Sequence, residues 1–363
     1  MLNARGMNRR PHGAMIGGKL QRPSGKVELM RAWQVHELGE PIDVLRVEHN
    51  VAIPQPGPGE ISIDVAACAL NFPDALLCRG QYQERPPLPF TPGLEVSGTI
   101  RALGQGSEAR GLQIGQRVAA QPTLASGLGG LAEVTIAPMA NVHPVPDSLD
   151  DAAAAALLVI YQTGWSALTR RANLRPGETL LVHAGAGGVG SAAIQLGKAL
   201  GATVIATAGG PAKVAVCRTL GADVAIDYQA EDFVARVNEL TDGRGADVVY
   251  DPVGGDIFDR STKCVAWEGR IVIIGFTGGR IAQSATNHVL IKNYSVIGLH
   301  WGNYRQHEPD AVDRWHTELM DLHQRGAIVP YVSEVVDFHQ VPQRLVAITN
   351  RATTGKVVVR VRD

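Results

Sequence analysis

The stretch His183–Gly190, "HAGAGGVG", lies between the apolar run "TLLV" and the small-residue pattern "GSAAIQLGKALGA". Glycines at 185, 187, 188 and 190 give up side-chain packing and add chain entropy that alanines would not. A strand that turns through such glycines straight into a helix makes a cradle for a pyrophosphate, from bare backbone and the helix N-terminus. In that reading Gly185 permits the tight turn and Gly187 lets the backbone approach the phosphates. Gly190 lets helix and strand pack closely, while Gly188 and Val189 open the helix. A glycine-rich turn without a ligand would not need the strand–turn–helix setting. The stretch reads as a dinucleotide site.

Outward from it, strand and helix alternate. "TVIATA", "DVAIDY", "ADVVYDPVGG" and "RIVIIGFTGG" read as strands, with "AKVAVCRTLGA", "EDFVARVNELT" and "IFDRSTKCVAWEG" as the intervening helical segments. Strands that are apolar throughout imply a parallel sheet covered on both faces. Upstream, from Met30, the text is β-rich: "EISIDVAACAL", "LEVSGTIRAL" and "AEVTIAP" are short strands set among glycine and proline turns. The alanine-rich "DDAAAAALLVIYQTGWSALTR" reads as one helix crossing between the two parts, and the terminal "KVVVRVRD" as a strand returning to the first. The fold class is α/β. A β-rich domain over residues 30–155 and 299–363 is discontinuous, and a Rossmann doubly wound domain occupies 156–298.

Composition excludes several functions. With 34 basic and 35 acidic residues the chain of 363 has no net field to gather nucleic acid. No apolar stretch approaches the roughly 20 residues that span a bilayer. Four well-separated cysteines form no CxxC pair, which argues against a disulfide framework or a cysteine-rich zinc site and fits a reducing cytoplasmic setting. Residues 1–29 carry six basic residues against one acid, without helix or strand period, and read as a disordered extension rather than an organellar targeting segment.

The second strand decides which dinucleotide is held. NAD sites place an acid at its end for the ribose 2′-hydroxyl. Here "TVIATAGGPAK" has none between Thr203 and Lys213. No acid repels a 2′-phosphate, and Lys213 could attract one, so the cofactor expected is NADPH.

The order of these segments resembles the medium-chain dehydrogenase/reductase superfamily. "NFPDALLCRGQY", "PFTPGLEVSG", "YQTGWSAL" and "TTGKVVVRV" are similar to its zinc-free, ζ-crystallin-like NADPH:quinone oxidoreductase branch over about residues 30–363. The resemblance implies a GroES-like domain beside the Rossmann domain, an active site in the cleft between them, and a homodimer. It places Asn71 and Asp74 by the nicotinamide and Tyr82 near the hydride-transfer site. Thr163 is implied to contact the nicotinamide side and Tyr228 the adenosine phosphate, with Gly275 and Phe276 lining the cofactor cleft. Residue by residue, "NFPDALLCRG" also reads as an ordinary short helix, capped by Asn71 and ended at Gly80. Lys356 in "TTGK" reads first as a solvated lysine, the alternative being a reach to cofactor or substrate. Zinc members carry Gly-His-Glu where this chain has Gly93-Leu94-Glu95, and leucine binds no metal, so none is expected.

Three functions follow. The first is NADPH-dependent hydride transfer to a quinone or similar electron-poor conjugated carbonyl, a small-molecule substrate that needs little side-chain chemistry because the cofactor carries the hydride. The second is enoyl-thioester or enone reduction, in which Tyr82 would supply a proton. The third is a non-catalytic NADPH-binding structural or regulatory protein.

Overall fold

A computed structural model describes residues 27–362. The expected extension over residues 1–29 lies, apart from its last three residues, outside them. Six strands, β1 (Thr179–Val182), β2 (Thr203–Ala208), β3 (Val224–Asp227), β4 (Ala246–Asp251), β5 (Val265–Ile273) and β6 (Ser295–Gly298), form one sheet in the order 3-2-1-4-5-6. Every neighbouring pair is parallel. Strand β1 is buried along its whole length, as helices on both faces require. The order reverses between β1 and β4, so the ligand crevice of this architecture opens at their carboxyl ends. The glycine-rich stretch leaves β1 at that edge.

His183, the first residue of that stretch, belongs to the core. Its Nδ1 lies 2.9 Å from Thr207 Oγ1 on β2, and its Nε2 lies 2.8 Å from Ser261 Oγ. The Ser261 hydroxyl already donates to Ile257 O, so the imidazole proton is assigned to Nε2. Burial, with Arg260 adding to it, pushes the imidazole down to about 3, which keeps it neutral.

A second, seven-stranded sheet is built on Glu60–Ala69, Glu95–Leu103, Arg117–Ala120, Val142–Pro144 and Val134–Pro138, all antiparallel to their neighbours. The terminal strand Lys356–Arg360 joins it, antiparallel to Glu60–Ala69, and Val332–Asp337 runs parallel at its outer edge. The return to this sheet is gradual. Leu319 and Ile328 still share the core around β1 and β2.

The alanine-rich crossing is not the single helix its composition predicts. It forms Asp151–Ala155, then Leu158–Trp165, then a widened π-helical turn over Ser166–Arg171. Asp150 caps the first piece by accepting from Ala153 N at 2.7 Å. The second begins anew because the Val159 N–H goes to the carboxylate of Glu95, 2.9 Å away, instead of to a preceding carbonyl. Gly164 lets this helix lie close on Gly188–Ala199, since a Cβ there would stand 2.7 Å from Leu196 Cδ1. The crossing helix, the cradle helix and the β-rich sheet therefore meet around Glu95 and residues 159–164. Among the described residues no helix is long and apolar enough to cross a membrane.

Candidate active site

The cradle is built partly as its sequence predicts. Gly187 caps the helix Gly188–Ala199, and its N–H bonds Ala184 O at 2.9 Å. The N–H groups of Val189 and Gly190 have no backbone acceptor and sit at the positive end of a 12-residue helix. A Cβ on Gly190 would lie 2.2 Å from Ala184 O, so only glycine permits this approach. Gly185 departs from its expected role. The left-handed residue of the turn is Ala184, at φ 50°, and not Gly185. Gly185 is needed for packing, because a Cβ there would meet Ala206 Cβ and Cys217 Sγ, each at 2.9 Å. Above Gly188 the nearest atom to a Cβ would be Lys356 Cδ, at 3.2 Å.

That contact leads to the centre of the site. Lys356 is buried, not solvated, with 3% of its side chain exposed. Its ammonium donates to Leu70 O at 2.9 Å, Asn71 Oδ1 at 2.7 Å and Glu95 Oε1 at 2.8 Å. Three donors find three acceptors. Asn71 Nδ2 also donates to Ala69 O and to Glu95 Oε1, at 3.0 and 3.1 Å. Asn71 stands at the N-cap of the helix Phe72–Cys78 as its sequence position predicts, in a capping box with Asp74, while its amide is also bound to Lys356 and Glu95. The helix start is held from the other side, by Asp74 accepting the Asn71 N–H at 2.8 Å.

Asp74 is fully buried, and its other oxygen accepts the Gly93 N–H at 2.9 Å. Its side chain offers no exposed surface of its own. Burial pushes its carboxyl up to about 7, against the pull of the two backbone N–H groups and Lys356. Gly93 has φ 112°, and a Cβ on it would lie 2.6 Å from Leu131 N. A glycine is therefore required beside Leu94 and Glu95.

The remaining predicted residues ring the crevice. Thr163 is half-buried on the crossing helix. Gly275 and Phe276 follow β5, and Phe276 lies over Gly254 at the end of β4. Tyr228 follows β3 and lies against Gly209 just beyond β2, on the same edge. Lys213 Nζ donates to the backbone carbonyl of Arg351 at 2.5 Å, a contact the sequence reading missed. Arg351 in turn donates to Thr277 O at 3.2 Å. Nothing local in "TNRATTGK" marks Arg351, since its neighbours arrive from more than 70 residues away.

Tyr82 is half-buried and packs against the core of the β-rich domain. Burial, then Glu84 and Asp74, push its phenol up to about 12, opposed by Arg305. Arg305 was also missed. It lies in the short helix Tyr304–His307, donates to Gln121 Oε1 at 2.9 Å, and stands over the Trp301 ring at 5.2 Å. Trp301 Nε1 donates to Gln162 Oε1 at 3.2 Å, next to Thr163. His300 is exposed. Among the described residues no group of three or more His, Cys, Asp or Glu side chains could hold a metal ion.

Residues 57–147 match a family model described as an alcohol dehydrogenase GroES-like domain, and residues 188–317 one described as a zinc-binding dehydrogenase. The chain is similar to quinone oxidoreductase-like protein 2 of Bos taurus, 40% identical over 306 residues that span 84% of this chain and 86% of the relative. Among solved structures it is similar to a mycobacterial protein complexed with NADPH, with a TM-score of 0.83 and 32% identity, covering 91% of this chain and 99% of that one. It is also similar to Escherichia coli quinone oxidoreductase complexed with NADPH, with a TM-score of 0.82 and 28% identity over the same shares.

The Lys356 network generates a stability prediction. Removing one partner of a buried pair strands the other charge, at a cost of about 3–5 kcal/mol. Lys356→Met should lose that much in urea unfolding, whereas Lys356→Met with Glu95→Gln should lose less than the sum of the single changes. A Lys356→Met protein as stable as the parent would mean that the ammonium is solvated.

Proposed function

The chain belongs to the medium-chain dehydrogenase/reductase superfamily, in its quinone oxidoreductase-like branch, and on that premise we propose that it is a zinc-independent, NADPH-dependent reductase of quinones or similar electron-poor conjugated carbonyls. The observation that carries the reading is the cradle: unpartnered N–H groups at a helix start, beside a β2 end that carries no acid in its own segment and is followed by Lys213. Gly187, Gly188, Val189 and Gly190 would hold the pyrophosphate, and Lys213, Arg351 and Tyr228 the 2′-phosphate corner. Asp227, the nearest acid to that corner, spends Oδ1 on the Gly210 and Gln229 N–H groups. Thr163, Gly275 and Phe276 would border the nicotinamide. The cofactor, when bound, supplies the hydride.

The protein's own part is then to orient and to exclude water. Asn71 and Asp74 are positioning residues in this reading: with Lys356 and Glu95 they set the 70–74 loop. A quinone oxygen reduced to the hydroquinone level takes its proton from water, so no side-chain acid is required. Zinc independence rests on Leu94, which has no donor atom. It rests also on Glu95, whose oxygens are taken by Lys356, Asn71 and the Val159 N–H. We place the homodimer contact at the free edge of β6 and the helix Thr286–Lys292, where Leu290 and Ile291 are 75% and 70% exposed.

Tyr82 favours the enone or enoyl-thioester reading as the alternative. A phenol pushed up to about 12 stays protonated at neutral pH and can donate. A non-catalytic NADPH-binding role is the third reading, and turnover decides against it.

Three outcomes are expected. Chelator-dialysed protein should oxidise NADPH with a quinone, faster than NADH, and Lys213→Ala should weaken NADPH about 10- to 100-fold while leaving NADH nearly unchanged. Activity that returns only with added zinc, or an NADH preference, would contradict the reading. Sedimentation should give about twice the 38.6 kDa chain mass, halved by Leu290→Asp with Ile291→Asp; a parent protein that sediments as a single chain removes the dimer. Tyr82→Phe should cost less than roughly tenfold in kcat with quinones, since only positioning is disturbed. A loss of about 10²–10⁴-fold would assign the hydroxyl an acid role and select the enone reading.

A further inference from the structure

Arg305 is an unusual arginine for this protein. Arg79, Arg110, Arg117, Arg270 and Arg280 each meet a carboxylate within 3 Å. No carboxylate of the described residues lies within ion-pair distance of Arg305, although the side chain is largely withdrawn from water. A guanidinium carries five N–H donors. Here Nη1 donates to Gln121 Oε1 at 2.9 Å and Nε reaches Gly302 O at a long 3.4 Å. The Nη2 edge has no acceptor among the described residues.

The group is nonetheless firmly placed. The Trp301 face lies 5.2 Å from its central carbon, and Trp301 is itself anchored by Gln162 on the crossing helix. Gln121 holds it from the end of the strand Arg117–Ala120. A cation fixed on three sides, with one edge of its donor fork open, has already met the ordering cost of binding. Withholding a charge from water without a counter-ion is unfavourable, so an external counter-ion gains more here than at the surface. The group also stands near the crossing helix beside Thr163, because the Trp301 ring beneath it is hydrogen-bonded to Gln162.

We infer that Arg305 determines substrate specificity: its open edge takes a carboxylate or sulfonate carried by the conjugated carbonyl substrate. Planar, charge-assisted pairing of this kind suits arginine over lysine. The anion would be held on one side of the crevice while the reducible carbonyl faces Tyr82 and Thr163. The inference rests on the quinone-reductase reading for its substrate, but not for the anion contact itself. The opposing account is a purely structural clasp, in which Arg305 ties Gln121 to Trp301 and recognises nothing.

The test compares 1,2-naphthoquinone with its 4-sulfonate, using NADPH and the full-length protein. The sulfonate should have the higher kcat/KM, by about tenfold or more, and added salt should reduce that advantage. In Arg305→Gln the ratio of the two kcat/KM values should fall about 10- to 100-fold, and Arg305→Lys should keep part of it. An unchanged ratio, or equal losses on both quinones with a lowered Tm, would establish the clasp and overturn the inference. A second measurement needs no turnover: 1-naphthol-4-sulfonate and 1-naphthol are titrated into the NADP-loaded protein, followed by tryptophan fluorescence. Tighter binding of the sulfonate that disappears in Arg305→Gln supports the inference even if no quinone is reduced, in which case the quinone reading alone falls. Equal binding of the two naphthols to the parent protein overturns it, whether or not Arg305→Gln folds.

Discussion

One ammonium group organises the site. Lys356 arrives on the last strand of the chain, yet its acceptors come from residues 70, 71 and 95, and its stem lies over Gly188. Burying an ion costs several kcal/mol unless each donor is matched, and here all three are. The match is possible only if the terminal strand, the 70–74 loop and the strand beginning at Glu95 take one mutual arrangement. Glu95 extends the constraint by holding the Val159 N–H, which restarts the crossing helix and so sets the height of Thr163. Gly355 closes the circle, donating its N–H to Ala186 O at 2.7 Å inside the glycine turn. A single charge thus ties the phosphate cradle to the loop on the opposite wall.

Small residues make this circle tight enough. At 164, 185, 190 and 93 a Cβ would stand within 3 Å of packed atoms, and at all but 190 the partner belongs to a different segment. Interiors packed this closely do not deform gradually. The geometry of the crevice is therefore a property of the whole assembly of segments rather than of any one loop.

How much of this the sequence discloses follows from the range of the forces. The parallel sheet was legible because apolar strands and periodic helices are local signals, and the crevice followed from the glycine turn leaving β1. The glycine roles were legible only in part. That Gly190 needs close packing follows from the motif, but the positive φ falls on Ala184, and Gly185 is needed against β2 and Cys217, which no local pattern discloses. Asn71 has the composition of a cap and the place of one, yet Lys356, 285 residues away, claims its carbonyl oxygen. Lysine 356 itself carries no mark of burial, since a lysine after Thr-Thr-Gly reads as exposed. Arg305 and Arg351 were passed over for the same reason. An arginine's role depends on which carboxylates are absent around it, and an absence across the fold leaves no local trace.

Lys356, buried, and Arg305, half-buried, show how the same chemistry serves opposite ends. Lys356 is a compact charge with three donors, all satisfied within the protein, so it has nothing left to offer a ligand and can only hold elements together. Arg305 is a wider group with more donors than its surroundings accept, so part of its field must end outside the chain. The difference lies in the acceptors supplied: Glu95, Asn71 and a carbonyl for the one, a single amide and a weakly placed carbonyl for the other. Had Glu84 stood within ion-pair distance of Arg305, the crevice would be closed electrostatically and only a neutral substrate would suit it. Because it does not, the wall facing Tyr82 keeps a positive edge, and the shape of the pocket alone no longer decides what enters.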